Sequence, residues 1–242
     1  MLVKKKSRRL RKFFSALFFT LLVGGAIYAV WYSPVFVIQE VSLRGADFSR
    51  EELNDMLGGD PTGQNILFWR MGEGRTLDPR FAQLEVTRNY LKRSITIEVV
   101  ERTKSIVWCF EIDNSCYWVD PSGFIFSPAP SARGAVLTVV TDSREFPPGI
   151  GEYVLTSAMN EVLYKILGVI ERTGINVVEI RLKNIKLREL LVTVSGGPQI
   201  IFSLSEDPAF TETAIKSLID SGDWGKIKSL NLTVPGRAYP SY

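Results

Sequence analysis

Few residue types in this chain could carry catalysis. None of the 242 residues is histidine, which excludes the Ser-His-Asp and Cys-His nucleophilic arrangements and removes the commonest zinc ligand. Acidic pairs are present, such as Glu51 with Glu52 and Asp220 with Asp223. Adjacent carboxylates on a helix point about 100° apart. We therefore interpret these pairs as solvated helix faces and not as general acids and bases.

A serine–lysine dyad is the remaining nucleophilic chemistry to consider. Signal peptidases place such a serine in a Ser-Met-x-Pro context just past a membrane anchor. Ser33-Pro34 does not supply that context, and Ser157-Ala158-Met159 opens a helix far along the chain. Ser195-Gly196-Gly197-Pro198 is typical of a hairpin turn, because it lacks the lysine and the following helix of a phosphate-binding loop. The sequence predicts no catalytic, cofactor or metal site, and a Ser–Lys peptidase stays an alternative.

The amino-terminal stretch predicts a membrane anchor. Residues 13–32 carry no charge, and a helix of about 20 apolar residues spans the hydrocarbon core of a bilayer. Trp31 and Tyr32 end this span, where aromatic rings suit the headgroup layer. Positive residues next to a span stay in the cytoplasm, so residues 1–12 are predicted inside and everything after Ser33 outside. The cations before the span are Lys4, Lys5, Lys6, Arg8, Arg9, Arg11 and Lys12.

A cleavable signal peptide is the alternative interpretation of this stretch. Its apolar core would run about 7–15 residues and end at a small-x-small site, whereas this core is longer and ends in bulky residues. A retained anchor in contact with the lipid bilayer is therefore favoured. The formal charge is +3 and the first twelve residues contribute +7, so the remainder carries −4. We expect no nucleic acid partner, because the basic charge lies in the cytoplasmic tail.

Two cysteines, Cys109 and Cys116, flank an Asp113-Asn114-Ser115 turn in the part predicted to lie outside the membrane. Thiols can oxidise there. In a hairpin the two would be near-opposite or diagonal neighbours, so a bridge depends on the strand register. A disulfide between them is the favoured prediction, and two buried thiols are the alternative.

The residues just after the span predict a small α+β domain over residues 35–102. A strand is expected at 35–43, followed by a short helix opened by a capping box, Ser49-Arg50-Glu51-Glu52, and closed by Gly58-Gly59. A second apolar patch at 65–69 indicates another helix. Two strands then follow at 84–88 and 94–100, with Ile95, Ile97 and Val99 on one face.

Residues 103–242 predict a β-rich domain with two helices. One helix is capped by Thr156 or Ser157 and ends at Gly174; the other begins at Asp207-Pro208, with the proline in its first turn. Arg237-Ala238-Tyr239 could add a short edge. The expected strands cover residues 106–112, 116–119, 124–126, 135–140, 177–181, 190–194, 199–204 and 229–234.

Several motifs resemble the FtsQ/DivIB family of bacterial cell-division proteins. Val41-Ser42-Leu43-Arg44-Gly45 and Gly63-Gln64-Asn65-Ile66-Leu67 are similar to its POTRA domain, as is Ile95-Thr96-Ile97-Glu98-Val99-Val100-Glu101-Arg102. Val119-Asp120-Pro121-Ser122-Gly123-Phe124-Ile125-Phe126 is similar to its junction into a second, β-rich domain. The family more often has Asp and Arg where this chain has Asn231 and Thr233, and residues 71–80 are glycine-rich where a second helix is usual.

This resemblance implies an α+β chain with four parts: a tail (1–12), a transmembrane helix (13–32), a β-α-α-β-β POTRA domain (35–102) and a β domain with a mixed or antiparallel sheet (103–242). It implies a non-enzymatic scaffold, without cofactors, in the plasma membrane at the division septum. FtsB/DivIC-like and FtsL-like membrane proteins would be its partners. A POTRA-type chaperone or secretion module that binds extended polypeptides is a further alternative.

The carboxy-terminal strands are predicted to form the partner-binding edge. Residues 229–234 alternate apolar and polar, and since the sequence ends at Tyr242 we expect nothing downstream to cover the last strand. Pro235 and Pro240 would limit a partner to a short segment. A frayed terminus is the alternative, and the resemblance favours the binding edge. The candidate residues are Ser229, Leu230, Asn231, Leu232, Thr233, Val234, Arg237, Ala238 and Tyr239.

Overall fold

The protein forms two compact units, Met1–Glu101 and Arg102–Tyr242, each with its own hydrophobic core. The computed structural model describes residues 4–45, 50–71, 78–131 and 137–242. The architecture is α+β, with one apolar amino-terminal helix and a β-rich body of two sheets, both mixed. The sequence places the boundary between the units after residue 102.

Helix α1 runs from Lys4 to Tyr32. Its segment Lys12–Tyr32 is long and apolar enough to cross a membrane, and none of that segment is buried against the rest of the protein. A helix that is apolar on all sides and fully exposed is suited to lipid and not to water. After α1, Ser33 and Pro34 open a 3-10 turn, Pro34–Phe36. The strand predicted from residue 35 therefore begins only at Glu40, because this turn occupies its expected start.

In the described residues, a three-stranded sheet and one helix make up the rest of the first unit. The elements are β1 (Glu40–Arg44), α2 (Arg50–Leu57), β2 (Phe81–Asn89) and β3 (Ser94–Glu101). Strand β3 is central, parallel to β1 and antiparallel to β2. Its alternation places Ile95, Ile97 and Val99 on the core face, as the sequence predicts. The core consists of Ile38, Leu57, Ile66, Trp69, Phe81, Ile95, Ile97 and Val99.

The second helix predicted for the first unit is wrong at residues 65–69, which form turns. The side-chain oxygen of Asn65 accepts a hydrogen bond from the N–H of Leu67, and its backbone oxygen accepts from Phe68 and Trp69. An asparagine that captures a nearby backbone donor favours a turn over a helix. Ser49, the predicted cap of α2, lies outside the described residues.

The second unit is built on a nine-stranded mixed sheet in the order β12-β11-β10-β9-β8-β7-β4-β5-β6. Parallel pairings join β4 to β7, β7 to β8 and β10 to β11, and the other pairs are antiparallel. The strands are β4 (Ile106–Phe110), β5 (Cys116–Val119), β6 (Ile125–Pro128), β7 (Val139–Asp142), β8 (Val177–Asn184), β9 (Glu189–Val194), β10 (Gln199–Ser203), β11 (Ser229–Leu232) and β12 (Tyr239–Ser241).

Two helices complete this unit. Helix α3 (Ser157–Thr173) is capped by the Thr156 hydroxyl, which accepts from Met159 N–H, and it ends at Gly174 in the left-handed region. Helix α4 (Ala209–Asp220) begins one residue later than predicted, with Pro208 as its N-cap. Both helices bury apolar side chains in the core that the sheet provides. Arg172 of α3 pairs with Glu212 of α4, and Lys165 of α3 pairs with Asp207, which lies just before α4.

Candidate partner-binding edge

The carboxy-terminal end of the large sheet is an open edge formed by β12. Strand β12 pairs antiparallel with β11, and β11 pairs parallel with β10 on its other side. The predicted edge, residues 229–234, is therefore an interior strand that ends at Leu232. The reason is that the chain turns back after Val234 and adds one more strand, Tyr239–Ser241, outside it.

All three residues of β12 are exposed. Among the described residues no strand pairs with its outer side. Its inner side is attached at the far end, where Lys228 N–H donates to the Ser241 carbonyl at 2.7 Å and Lys228 Nζ donates to Tyr242 O at 3.1 Å. A strand held on one side only presents backbone N–H and C=O groups that another strand can pair with.

The polar groups of two predicted binding residues form hydrogen bonds within the turn before β12. The Asn231 side-chain oxygen accepts from the N–H and the hydroxyl of Thr233, at 2.9 and 2.7 Å. Val234 O accepts from Arg237 N–H at 3.2 Å, and Gly236 takes the positive φ of 70° that this reversal needs. Asn231 and Thr233 therefore shape the turn.

The structure places the predicted binding residues in different surroundings. Tyr239 lies on the open edge with 48 % of its surface exposed, and Arg237 Nη1 is 3.5 Å from its hydroxyl. Ala238 packs against the core, and Val234 is exposed in the turn. The residues that lie in the interior strand are Ser229, Leu230, Asn231 and Leu232.

Pro240 and Ser241 belong to the edge strand but were not among the predicted residues. Pro240 argues against predicting a strand here, because proline within a strand is found mainly at the edge of a sheet. Because all three residues of β12 are exposed, no alternation of buried and exposed positions marks this strand in the sequence.

The opposite edge of the sheet is covered by the chain itself where β6 begins. Ile125 of β6 donates its N–H to Glu152 O and accepts from Gly151 N–H, both at 2.9 Å. Val154 N–H donates to Gly123 O at 2.9 Å in the same region. We call residues 149–154 the guard loop, since its backbone takes up the hydrogen-bonding groups of Ile125 that β5 does not use.

Asp120 holds the turn that leads into β6. Its Oδ1 accepts from the Ser122 N–H and hydroxyl and from Phe124 N–H, and its Oδ2 pairs with Arg102 at 2.6 Å. Burial alone would raise the pKa of Asp120, but the hydrogen bonds from Ser122, Phe124 and Arg102 outweigh burial and lower the pKa below its ordinary value. The carboxylate is thus charged at neutral pH and fixes the chain beside the guarded edge.

The β4–β5 hairpin joins the two cysteines. Cys109 and Cys116 are directly opposite each other in the register, and the structure has them bonded as a disulfide. The turn between them is held by Asp113, whose Oδ1 accepts from the N–H and the hydroxyl of Ser115.

A surface groove of about 580 Å³ beside α3 is lined by Ser122, Ser157 and Lys165, the residue types of a Ser–Lys dyad. Ser122 donates its hydroxyl to Asp120. Lys165 donates to Asp207 at 3.0 Å and pairs with Glu161 at 3.1 Å. Those two carboxylates, Asp207 first, raise the pKa of Lys165. A lysine that stays protonated cannot act as the general base of such a dyad.

Metal chemistry finds no support in the described parts of the chain, which contain no cluster of three or more His, Cys, Asp or Glu residues able to hold an ion. No family model matches the sequence. No curated protein matches it either. The likeness to cell-division proteins therefore depends on the motifs described above.

Proposed function

We propose that this chain is a non-enzymatic, single-pass membrane scaffold that binds another membrane protein by strand addition at β12. The observation that carries the proposal is the asymmetry of the large sheet: the guard loop takes up the backbone groups of Ile125 at the start of β6, whereas all three residues of β12 are exposed. Edge strands left open in a folded protein recruit other strands.

The chemistry of β12 defines the partner segment. A strand placed beside it would gain backbone hydrogen bonds over only a few residues, because Pro240 lacks an N–H and Pro235 stands before the turn. Affinity must then come from a side-chain anchor, and Tyr239 provides a large, half-exposed ring at the start of β12. The fitting partner is a short extended segment with an apolar side chain that packs on Tyr239.

The resemblance to the FtsQ/DivIB family indicates which protein would supply that segment. A first unit of the POTRA type, followed by a β domain, implies a place in the bacterial division machinery. FtsB/DivIC-like and FtsL-like single-span proteins are the proposed partners, at the septum of the plasma membrane. POTRA membership would require the β-α-α-β-β order, of which the described residues supply β1, α2, β2 and β3.

The proposed topology places residues 1–12 in the cytoplasm and both folded units outside. It depends on α1 and on the seven cations before its apolar part. Protease added to intact spheroplasts should remove both units and leave a membrane-protected fragment of α1. Full protection of the units until the membrane is permeabilised would contradict this topology.

A pull-down from membrane extracts tests the scaffold proposal. The tagged full-length protein should recover one or two small single-span proteins, identified by mass spectrometry. A variant that lacks residues 235–242 loses β12 and should not recover them, although it stays in the membrane. Equal recovery by both proteins would place the binding site elsewhere. Capture of many unrelated extended chains would favour the chaperone or secretion alternative.

A further inference from the structure

The first unit carries a second candidate interaction surface at the end of α1. The turn at residues 65–69 is fastened directly to that helix end. Asn65 Nδ2 donates to the carbonyls of Val30 and Trp31, at 3.0 and 3.3 Å. These carbonyls are among those that a helix leaves without intrahelical partners. The ring of Phe68 stacks on the ring of Trp31 with the centroids 4.4 Å apart.

The backbone fixes this arrangement independently of those side chains. The chain that leaves α1 pairs with the same turn, since Ile38 N–H donates to Gln64 O and Ile66 N–H donates to Phe36 O. Residues 64–68 are therefore held beside the last turn of α1. The depth they reach along the helix axis is set by Trp31.

The β2–β3 turn lies at the same end of the unit. Arg93 Nη1 donates to Pro34 O at 3.2 Å, and Arg93 O accepts from Gln39 N–H at 2.9 Å. In the register, Ser94 of β3 pairs with both Asn89 and Glu40, the ends of β2 and β1 nearest α1. The tip of this turn, residues 90–92, consequently projects from the end of the sheet where the helix enters.

Both turns expose apolar side chains. Leu91 is 97 % exposed, and Leu67, Phe68 and Tyr90 are exposed as well. Single exposed apolar residues are common on soluble proteins. These four belong to two separate turns, and both turns are tied to the end of one apolar helix. Lys92 and Arg93 stand beside them, as expected where lysine and arginine meet lipid phosphates.

An open groove of about 260 Å³ continues this surface along α1. Its lining is entirely apolar: Ala26, Ile27, Val30, Trp31 and Phe68. Ala26 lies five residues before Trp31, which is about 7 Å deeper along the helix axis. A groove that starts at the aromatic end of a membrane helix and runs toward its middle matches the position of a phospholipid acyl chain.

We propose that these two turns seat the first unit on the bilayer. Leu67, Phe68 and Leu91 enter the boundary between headgroups and acyl chains, and Lys92 and Arg93 meet anionic phosphates. An acyl chain fills the groove between Phe68 and α1. The inference rests on the proposal that α1 spans a membrane. Its consequence is that the first unit has one fixed orientation on the membrane surface instead of swinging on a flexible linker.

Fluorophore placement in the full-length protein tests the seating. Variants with one added cysteine, Leu67→Cys and Leu91→Cys, are labelled with a polarity-sensitive maleimide under oxidising conditions, where the native pair stays bonded. The unsubstituted protein, which should take no label, checks that condition. Val100→Cys is the matched control, since Val100 is an exposed apolar residue at the opposite end of β3. Ile27→Cys reports on α1 itself.

The labelled proteins are reconstituted in vesicles of phosphatidylethanolamine and phosphatidylglycerol. We expect labels at 67 and 91 to shift to the blue, to be quenched by nitroxide-bearing lipid and to lose iodide quenching. The label at 100 should keep full iodide quenching. If 67 and 91 respond like 100 while 27 is quenched by the lipid nitroxide, the anchor is in place and the seating is wrong. If 27 is also in water, the membrane proposal fails together with the seating. Protection of 67 and 91 in native membranes but not in pure lipid would assign the surface to a protein, which also overturns the inference.

Discussion

The two edge strands of the large sheet, β6 and β12, differ in how the backbone groups on their outer sides are covered. Each strand pairs with another strand on one side only. At β6, the guard loop uses both backbone groups of Ile125, and Ile125 and Phe126 are buried. At β12, every residue is exposed. The short length of the strand and its central proline are the features that limit pairing with another strand.

Under the proposed function, this difference predicts that β6 supports the stability of the fold and that β12 supports binding of the partner. A closed edge contributes hydrogen bonds and buried apolar area to the fold. An open edge contributes little to the fold and leaves its hydrogen-bonding capacity for another chain. Substitutions at β6 should therefore lower the free energy of unfolding, whereas substitutions at β12 should lower affinity and leave unfolding unchanged.

The largest expected effect comes from opening the guarded edge. Gly151 has a φ of 96° and its N–H donates to Ile125 O. Gly151→Pro forbids that φ and removes the donor, which should cost about 2–5 kcal/mol of unfolding free energy in the second unit. Gly149→Ala in the same loop is the control, because a Cβ at Gly149 meets no atom within 4 Å. Pulse proteolysis in urea measures both; equal midpoints would show that the guard loop does not support the sheet.

A smaller but pH-dependent loss is expected from Asp120→Asn, which breaks the pair with Arg102 beside the guarded edge. At neutral pH the second unit should lose roughly 3 kcal/mol. The pKa of Asp120 is lowered in the fold, so its contribution is present above the ordinary value of 3.8 and is lost as pH falls through the folded value.

Urea unfolding of Asp120→Asn and of the unsubstituted protein, at neutral pH and at about pH 3, measures this pH dependence. The gap between the two proteins should narrow as the pH falls below 3.8, because the unfolded chain then takes up a proton on Asp120 more readily than the folded chain does. A gap that is independent of pH would mean that the charge of Asp120 contributes nothing.

The smallest expected change in stability belongs to the open edge, where the effect is on binding. Tyr239→Ala should weaken partner capture by more than about 1 kcal/mol, since aromatic anchors dominate interface energies. Tyr153→Ala in the guard loop is the matched control, with 58 % of that tyrosine exposed against 48 % for Tyr239. Quantitative pull-down compares the two variants, and urea unfolding checks that Tyr239→Ala is as stable as the unsubstituted protein. Equal loss of capture in both variants would remove the distinction between the edges.

Local signals predicted the parts of the fold that local physics decides. The cap at Thr156, the left-handed end at Gly174 and the alternation of Ile95, Ile97 and Val99 each depend on a few neighbouring residues. The turn at 65–69 was missed because one asparagine side chain outweighs an apolar pattern that also suits a helix.

Strand order could not be predicted in the same way, because it depends on distant parts of the chain. The alternation in residues 229–234 is equally compatible with an edge or an interior strand, and only the return of the chain at β12 decides between them. The guard loop contains two glycines and directly follows two prolines, so its sequence is typical of any surface loop. Its pairing with Ile125 joins residues more than twenty positions apart.

Site-specific photocrosslinking in living cells tests the central claim most directly. A photoreactive benzoyl-phenylalanine replaces Tyr239 in one protein and Tyr153 in another, so that a similar ring samples each edge. We predict adducts to a small single-span membrane protein from position 239 and none from position 153. Adducts from position 153 alone, or equal adducts from both positions, would contradict the assignment of β12 as the edge that binds the partner.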